Sequence, residues 1–206
     1  MPFSPPTHEP VIVAVTGASG APYALRLIAR LANAGVTQHL LFSDAAKIVL
    51  QQECHISLPQ EAHAIPAALA DALNISAEQM HSYADHDWFS PVASGSAGLP
   101  RMVIAPCSMG TLARIASGIS GTLIERAADV ILKESRQLIL LPRETPLSTI
   151  HLENMLKLAR MGAEIIPAMP GFYHRPDSIE TLIDFVVDRI LDHLHICNKE
   201  SPRWGA

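Results

Sequence analysis

Hydrophobic runs and helical patterns alternate along most of the chain. Short apolar runs rich in β-branched residues predict strands over residues 11–16, 36–42, 101–106, 137–141 and 164–167. Apolar residues at three- and four-residue spacing predict helices over 22–34, 43–53, 66–73, 123–135, 147–161 and 178–194, and another from about residue 108. The segment 85–100 is rich in Pro, Gly and Ser and predicts a long loop.

This alternation is typical of a single α/β domain with an open, doubly wound parallel sheet. We predict tails at residues 1–10 and 198–206, with one domain at 11–197 between them. Sheets of this type bind ligands beyond the carboxyl ends of their strands. The polar turns that follow the strands are therefore the candidate functional segments.

Composition narrows the possible functions. Apolar residues make up 49% of the chain and charged residues 17%, which fits a covered parallel sheet with or without a large subunit interface. A net charge of −5 and the lack of a basic stripe argue against nucleic acid. No apolar run is long enough to span a membrane. Three cysteines without CxxC spacing favour a reducing, cytoplasmic location and indicate neither a disulfide framework nor a metal site.

The turn TGASGA at 16–21 follows the first strand and precedes the first helix. Its small residues allow a phosphate to approach the backbone, or they serve only a tight turn. The sequence is neither GxGxxG nor a P-loop. Asp44 suits the ribose of NAD, or it is a carboxylate favoured by the start of a helix.

Three further turns carry candidate chemistry. PCSMGT at 106–111 places Ser108 and Thr111 where they could bind a phosphate or a flavin edge, or Ser108 only caps a helix. Cys107 is expected to be a buried apolar residue. Arg143 and Glu144 follow a strand and could bind phosphate and move a proton, or form a surface ion pair. GFYHRP at 171–176 is the third turn, and the scattered histidines are expected to be ordinary surface residues.

Seven motifs together resemble the UbiX-like flavin prenyltransferases, in order over about residues 11–195. They are TGASGA, ASGS at 93–96, PCSMGTLA at 106–113, ERAADVILKE at 125–134, PRETP at 142–146, HLENMLKL at 151–158 and PGFYHRP at 170–176. The resemblance implies a flavodoxin-like Rossmann fold, a homododecamer and sites shared between subunits. One departure is KESRQL, where Ser135 and Gln137 replace the Arg and Pro that are frequent in the family.

The resemblance also assigns residues by position. Its FMN contacts correspond to Gly17, Ala18, Ser19, Ser43, Ser108, Met109, Gly110, Thr111 and Arg143. Its prenyl phosphate contacts correspond to Ser94, Arg126, Lys133, Arg143, Glu144, Tyr173 and Arg189. Its catalytic residues correspond to Ser19, Glu144, Tyr173 and Trp88, with Trp88 covering the prenyl group.

The implied reaction joins the dimethylallyl group of dimethylallyl phosphate to N5 and C6 of reduced FMN without a metal. The product would serve a UbiD-type decarboxylase in ubiquinone biosynthesis or aromatic acid decarboxylation. Two alternatives remain at this point. One is a flavin-dependent decarboxylase that acts directly on a substrate carboxylate, and the other is a non-catalytic flavin carrier or NAD-linked sensor.

Overall fold

The computed structural model describes residues 8–196, and within them six strands alternate with seven α-helices. The strands are β1 (Val11–Val15), β2 (Gln38–Phe42), β3 (Met80–Ser82), β4 (Arg101–Cys107), β5 (Gln137–Pro142) and β6 (Glu164–Ile165). The helices are α1 (Ala21–Asn33), α2 (Asp44–Cys54), α3 (Ile65–Leu73), α4 (Met109–Ala116), α5 (Leu123–Lys133), α6 (Thr149–Arg160) and α7 (Ile179–His193). Short 3-10 turns lie at Ala62–Ala64, Pro91–Ala93 and Gly95–Ala97.

The strands form one parallel sheet in the order β3-β2-β1-β4-β5-β6. This is the flavodoxin-like Rossmann architecture, so the predicted doubly wound α/β fold is confirmed. The chain leaves β1 towards β2 on one side and reaches β4 on the other. The point where the strand order reverses therefore lies between β1 and β4, where such sheets bind their ligands.

The two faces of the sheet bury separate cores. Val11, Val13 and Val15 of β1 pack with α1, α2, α3 and α7, whereas Ile12 and Ala14 pack with α4, α5 and α6. Successive side chains of a strand point to opposite faces, so these helices form two layers that enclose the sheet. Burial on both faces explains why the central strands are continuously apolar.

Pattern analysis did not predict β3, and it misjudged one histidine. β3 has three residues, and His81 and Ser82 give it no apolar pattern; it is a strand because it pairs with β2 at the sheet edge. His39 of β2 was expected on the surface, but it is 9% exposed and lies between His81 and Tyr83. Its Nδ1 is 2.8 Å from the Tyr83 hydroxyl. Burial and the neighbouring His81 lower the pKa of His39 to about 4.

The chain ends are described only in part. Residues 8–10 of the predicted N-terminal tail belong to the described region, and Glu9 pairs with Arg101 of β4 at 2.7 Å. The predicted tail at 198–206 and the third cysteine, Cys197, lie outside the described residues. None of the helices between residues 8 and 196 combines the length and apolar character that crossing a membrane requires.

Candidate active site

Thr16 joins the two turns at the reversal point of the sheet. Its hydroxyl donates to the carbonyl oxygen of Pro106 at 2.8 Å and accepts from the backbone N–H of Ser108 at 2.8 Å. Its own N–H also donates to the Pro106 carbonyl at 3.2 Å. These bonds hold the turn after β1 against the turn after β4, so Gly17, Ala18 and Ser19 lie beside the start of α4.

Gly17 permits a close approach between the first turn and α2. A Cβ at position 17 would lie under 3.0 Å from the Cβ of Ala45 and 3.5 Å from its Cα. Ser43 caps α2 by accepting from the N–H of Ala46 at 3.1 Å. Asp44 is the first residue of that helix, which agrees with the helix-start interpretation.

A carboxylate that sequence reasoning missed occupies the start of α1. Glu53 lies in the last turn of α2, and its Oε2 accepts from the N–H groups of Gly20 and Ala21, each at 2.9 Å. Helix N-termini attract anions because their first N–H groups lack intrahelical acceptors. The TGASGA turn suggested that a phosphate binds at this helix start. In the structure, the carboxylate of Glu53 occupies that position.

Glu53 also faces the side chains of Ser19 and Arg143. Partial burial acts to raise the pKa of Glu53, but the hydrogen bond from the Ser19 side chain and the bonds from the α1 backbone outweigh it. The positive charge of Arg143 acts in the same direction, so the pKa of this carboxyl is lowered. Arg143 in turn donates from Nε to the carbonyl oxygen of Ser19 at 3.0 Å. Ser19, Glu53 and Arg143 therefore form one polar cluster.

One sequence signal could have revealed Glu53. An acidic residue in the last turn of a helix faces the negative end of the helix dipole, and α2 has no basic residue there to offset it. Such a locally unfavourable position indicates that the carboxylate has a partner elsewhere in the fold. The periodic pattern identified only the helix, because it does not show which elements meet in space.

The turn after β4 supplies a second helix start. Ser108 caps α4, since its Oγ accepts from the N–H of Thr111 at 3.2 Å. Met109 and Gly110 occupy the first helical positions, where backbone N–H groups have no acceptor within the helix. Cys107 is fully buried, and burial raises the pKa of its thiol to about 12. The expectation that Cys107 is an unreactive apolar residue fits this environment.

Three predicted site residues lie on α5 or beside it. Ser94, Arg126 and Lys133 form this α5 group. Arg126 donates from Nε to the carbonyl of Ala93 at 3.0 Å, and Lys133 lies 3.5 Å from Glu134. The 91–97 segment packs on α5, so it holds Ser94 beside the helix. Trp88 is about half exposed and lies against His86.

Tyr173 and Arg189 belong to the α7 side of the molecule. The Tyr173 ring meets Phe185 of α7 edge-on at 5.6 Å, and the His174 ring stacks on Phe185 at 5.2 Å. Arg189 follows Phe185 by four residues, so it lies on the same side of the helix one turn further on. Its guanidinium is 3.3 Å from Asp192.

The predicted substrate contacts of one chain are divided between the two helix layers. The α5 group lies with the layer of α4, α5 and α6, whereas Tyr173 and Arg189 lie with α7 on the opposite face of the sheet. Arg143 and Glu144 follow β5 at the carboxyl edge between the two layers.

Within residues 8–196, no three or more His, Cys, Asp or Glu side chains are grouped so as to hold a metal ion.

Comparisons with known proteins place this site in a family. The model of the Flavoprotein family matches residues 4–191. The flavin prenyltransferase UbiX of Pseudomonas aeruginosa is 51% identical over 197 residues, covering 96% of this chain and 94% of that protein.

Two solved structures agree with this match. A crystal structure of AnUbiX in complex with FMN and dimethylallyl pyrophosphate has a TM-score of 0.85 at 39% identity, covering 97% of this chain and 98% of that one. A dodecameric FMN-dependent UbiX-like decarboxylase from Escherichia coli has a TM-score of 0.83 at 40% identity, covering 95% and 99%.

The fold, the site and the family model define a flavoprotein built on a Rossmann-type sheet. Within the flavoproteins, the chain belongs to the UbiX flavin prenyltransferases. The resemblance inferred from the seven motifs is therefore confirmed, and with it the expectation of a flavin prenyltransferase enzyme.

Proposed function

We propose that the protein transfers the dimethylallyl group of dimethylallyl phosphate to N5 and C6 of reduced FMN. The observation that carries the proposal is the polar cluster of Ser19, Glu53 and Arg143 at the reversal point of the sheet. It combines a hydroxyl, a carboxylate and a guanidinium where this fold binds its ligand. FMN as the flavin is confirmed by the Flavoprotein family, by the FMN complex of AnUbiX and by the FMN dependence of the Escherichia coli relative.

The residues at this edge fit a flavin mononucleotide. Glu53 fills the start of α1, so the phosphate of FMN is best received by the first turn of α4, from Ser108 to Thr111. Gly17 has no Cβ, which lets the first turn pack closely against Ala45 at the start of α2. N5 of reduced FMN bonds to the allylic carbon as the bond from that carbon to the phosphate oxygen breaks, and N5 loses its proton. A proton then adds to the prenyl double bond, the tertiary carbon bonds to C6, and C6 loses its proton.

Positive charges are needed where the phosphate departs. Arg143 lies at the cluster itself, and we propose that Arg126, Lys133 and Arg189 complete the phosphate site. Guanidinium and ammonium groups placed in advance around a leaving phosphate stabilise the charge that develops on it. The rings of Trp88 and Tyr173 would offer their faces to the allylic carbons as they become positive.

Proton transfers are assigned to the carboxylates. Glu53 bonds to Ser19, so the two side chains form a path by which a proton can move at the flavin edge. The lowered pKa keeps Glu53 ionised, so its carboxylate accepts the hydrogen bond of the Ser19 hydroxyl and orients that hydroxyl at the flavin edge. Glu144, two residues after β5, and the released phosphate are proposed to deliver the proton that the prenyl double bond gains and to accept the one that C6 loses.

We propose that this site is completed by neighbouring subunits. The α5 group and the Tyr173–Arg189 pair lie on opposite faces of one sheet, so one chain alone does not surround a single substrate with both. The dodecameric relative supports an assembly of the same kind, and a homododecamer is the oligomer that we propose. Exposed apolar residues on α6, among them Ile150, Leu152 and Leu156, supply surface for such contacts.

The direct test is anaerobic incubation with reduced FMN and dimethylallyl phosphate, followed by mass spectrometry of the released flavin. A flavin heavier by one five-carbon prenyl unit is expected. Unmodified flavin from a folded, FMN-loaded enzyme, with dimethylallyl pyrophosphate also inert, would reject the proposal. Release of carbon dioxide from an aromatic acid by the same sample would instead favour the decarboxylase activity described for one relative.

Subunit sharing has a separate test. Lys133→Ala and Glu144→Gln are each expected to lower turnover strongly as pure proteins. Mixed oligomers formed by co-expression should regain roughly a quarter of the wild-type turnover if the two residues act from different chains, since random assembly pairs intact halves at that frequency. No recovery in verified mixed oligomers would mean that both residues serve the same chain's site, or none.

The remaining expectations rest on the family alone. We propose that the prenylated flavin passes to a UbiD-type decarboxylase in ubiquinone biosynthesis or aromatic acid decarboxylation, and that the enzyme works in the cytoplasm. Purified UbiD-type apoprotein should gain decarboxylase activity when it is supplied with the released flavin. Failure of the product to activate it would remove this link without affecting the prenyl transfer itself.

A further inference from the structure

An ion pair between a buried carboxylate and a half-exposed guanidinium lies beside the first turn of α4. Glu125 of α5 is only 2% exposed, and its Oε2 accepts from the N–H groups of Gly121 and Thr122 at 2.8 Å and 3.1 Å. Its Oε1 pairs with Nε of Arg114 in the last turn of α4. Three donors thus satisfy the carboxylate, and it holds the guanidinium in a fixed orientation.

The other side of the Arg114 guanidinium reaches the hydroxyl of Thr111, in the first turn of α4, where the phosphate of FMN is proposed to bind. Nη2 of Arg114 donates to Oγ1 of Thr111 at 3.3 Å, and Oγ of Ser108 donates to the same oxygen at 3.0 Å. Thr111 is 6% exposed. A hydroxyl oxygen has two acceptor sites. Because Arg114 and Ser108 fill both, the proton of Thr111 is left to donate to another group.

The same guanidinium lies directly against the first turn of α4. A Cβ at position 110 would lie 3.4 Å from Nη1 of Arg114, which is an ordinary contact distance. The network continues through Ser108, whose N–H bonds to Thr16 of the other turn. A chain of contacts therefore runs from Glu125 in the α5 layer to the reversal point of the sheet.

We propose that Arg114, anchored by Glu125, is a positioning residue that presents Thr111 as a hydrogen-bond donor to the phosphate of bound FMN. The proposal deepens the proposed function and depends on FMN binding at the start of α4. Arg114 acts through Thr111 and Ser108, and it does not itself contact the reacting atoms. It sets the direction of one hydroxyl and adds positive charge behind the turn.

A double-mutant cycle on the FMN dissociation constant tests this role. Arg114→Met is expected to weaken FMN binding about tenfold, as for loss of a charged hydrogen bond. In a Thr111→Val background the same change should weaken binding less than twofold, because the group that it positions is gone. Arg26→Met, which removes an arginine paired with Asp184 between α1 and α7, is the matched control and should leave the dissociation constant unchanged.

The outcomes separate this proposal from the proposed function. If the wild-type protein binds no FMN, the proposed function fails. If the wild type binds FMN and Arg114→Met weakens binding equally with and without Thr111→Val, Arg114 acts only on overall structure and the positioning role is refuted. Should Arg114→Met not fold, Arg114→Lys takes its place in the same cycle, since it keeps a charge beside Glu125 and loses the Nη2 contact.

Discussion

The close contact between Gly17 and Ala45 allows a prediction in which a second substitution should reverse the effect of the first. In Gly17→Ala, the new Cβ would lie under 3.0 Å from the Cβ of Ala45, whereas carbon atoms in contact prefer about 3.5–4.0 Å. The first turn or the start of α2 must therefore move by roughly 1 Å. Backbone flanks both positions, so no flexible side chain can absorb the shift.

The expected cost follows from overpacking. Gly17→Ala should lower the free energy of unfolding by about 1–3 kcal/mol, measured by urea denaturation, and should weaken FMN binding because Ser43 moves with α2. Ala45→Gly alone should cost no more than about 1 kcal/mol, as for a glycine in a helix.

The double variant decides the question. Gly17→Ala with Ala45→Gly removes the clashing Cβ, so its stability and FMN binding should return to those of Ala45→Gly alone, a coupling of about 1–3 kcal/mol, equal to the cost of Gly17→Ala itself. If Gly17→Ala proves harmless, or if Ala45→Gly fails to compensate it, the packing argument for this turn is wrong.

Three further predictions concern other sites. Glu53→Gln should keep FMN bound yet slow prenyl transfer by about 100- to 10,000-fold, the usual loss on removing a general base, and wild-type turnover would remove Glu53 from the proton path. The folded-state pKa of His39 is about 4 against 6.5 in the unfolded chain, so stability is full above pH 6.5 and falls by up to about 3 kcal/mol as the pH drops to 4. In urea denaturation, His39→Phe should flatten that dependence while the exposed His63→Gln should not; an equal pH dependence in the His39 variant would contradict the assignment. Gln137→Pro should destabilise the protein by about 1–3 kcal/mol, since Gln137 bonds to Glu164 and to the His193 carbonyl, each at 2.8 Å, and unchanged thermal unfolding would count against this.

Most of the fold could be predicted from the sequence, because strands that are buried on both faces of the sheet appear as continuous apolar runs. β1, β4 and β5 are continuous apolar runs, and Ser43 and Ser178 cap helices where the pattern placed helix starts. β3 left no such signal, since an edge strand of three residues owes its conformation to its neighbour. His39 was misplaced because one polar residue does not reveal the aromatic rings that cover it.

The site was predicted in part for a related reason. The motifs indicated which turns contain candidate site residues, and two of these residues, Ser19 and Arg143, do lie together. Glu53 was missed because it comes from the far end of α2 and meets α1 only in space. The separation of Lys133 from Tyr173 across the sheet is likewise a property of the layers and leaves no trace in residue spacing.

The carboxylate at the start of α1 also bears on which nucleotides this fold accepts. The strand order β3-β2-β1-β4-β5-β6 is shared with enzymes that seat the pyrophosphate of a dinucleotide on the helix after the first strand. Here Glu53 already engages the N–H groups of Gly20 and Ala21. An incoming pyrophosphate would lose those donors and face a like charge. Glu53 therefore disfavours the binding of NAD at this helix start. It does not oppose a mononucleotide whose phosphate binds elsewhere.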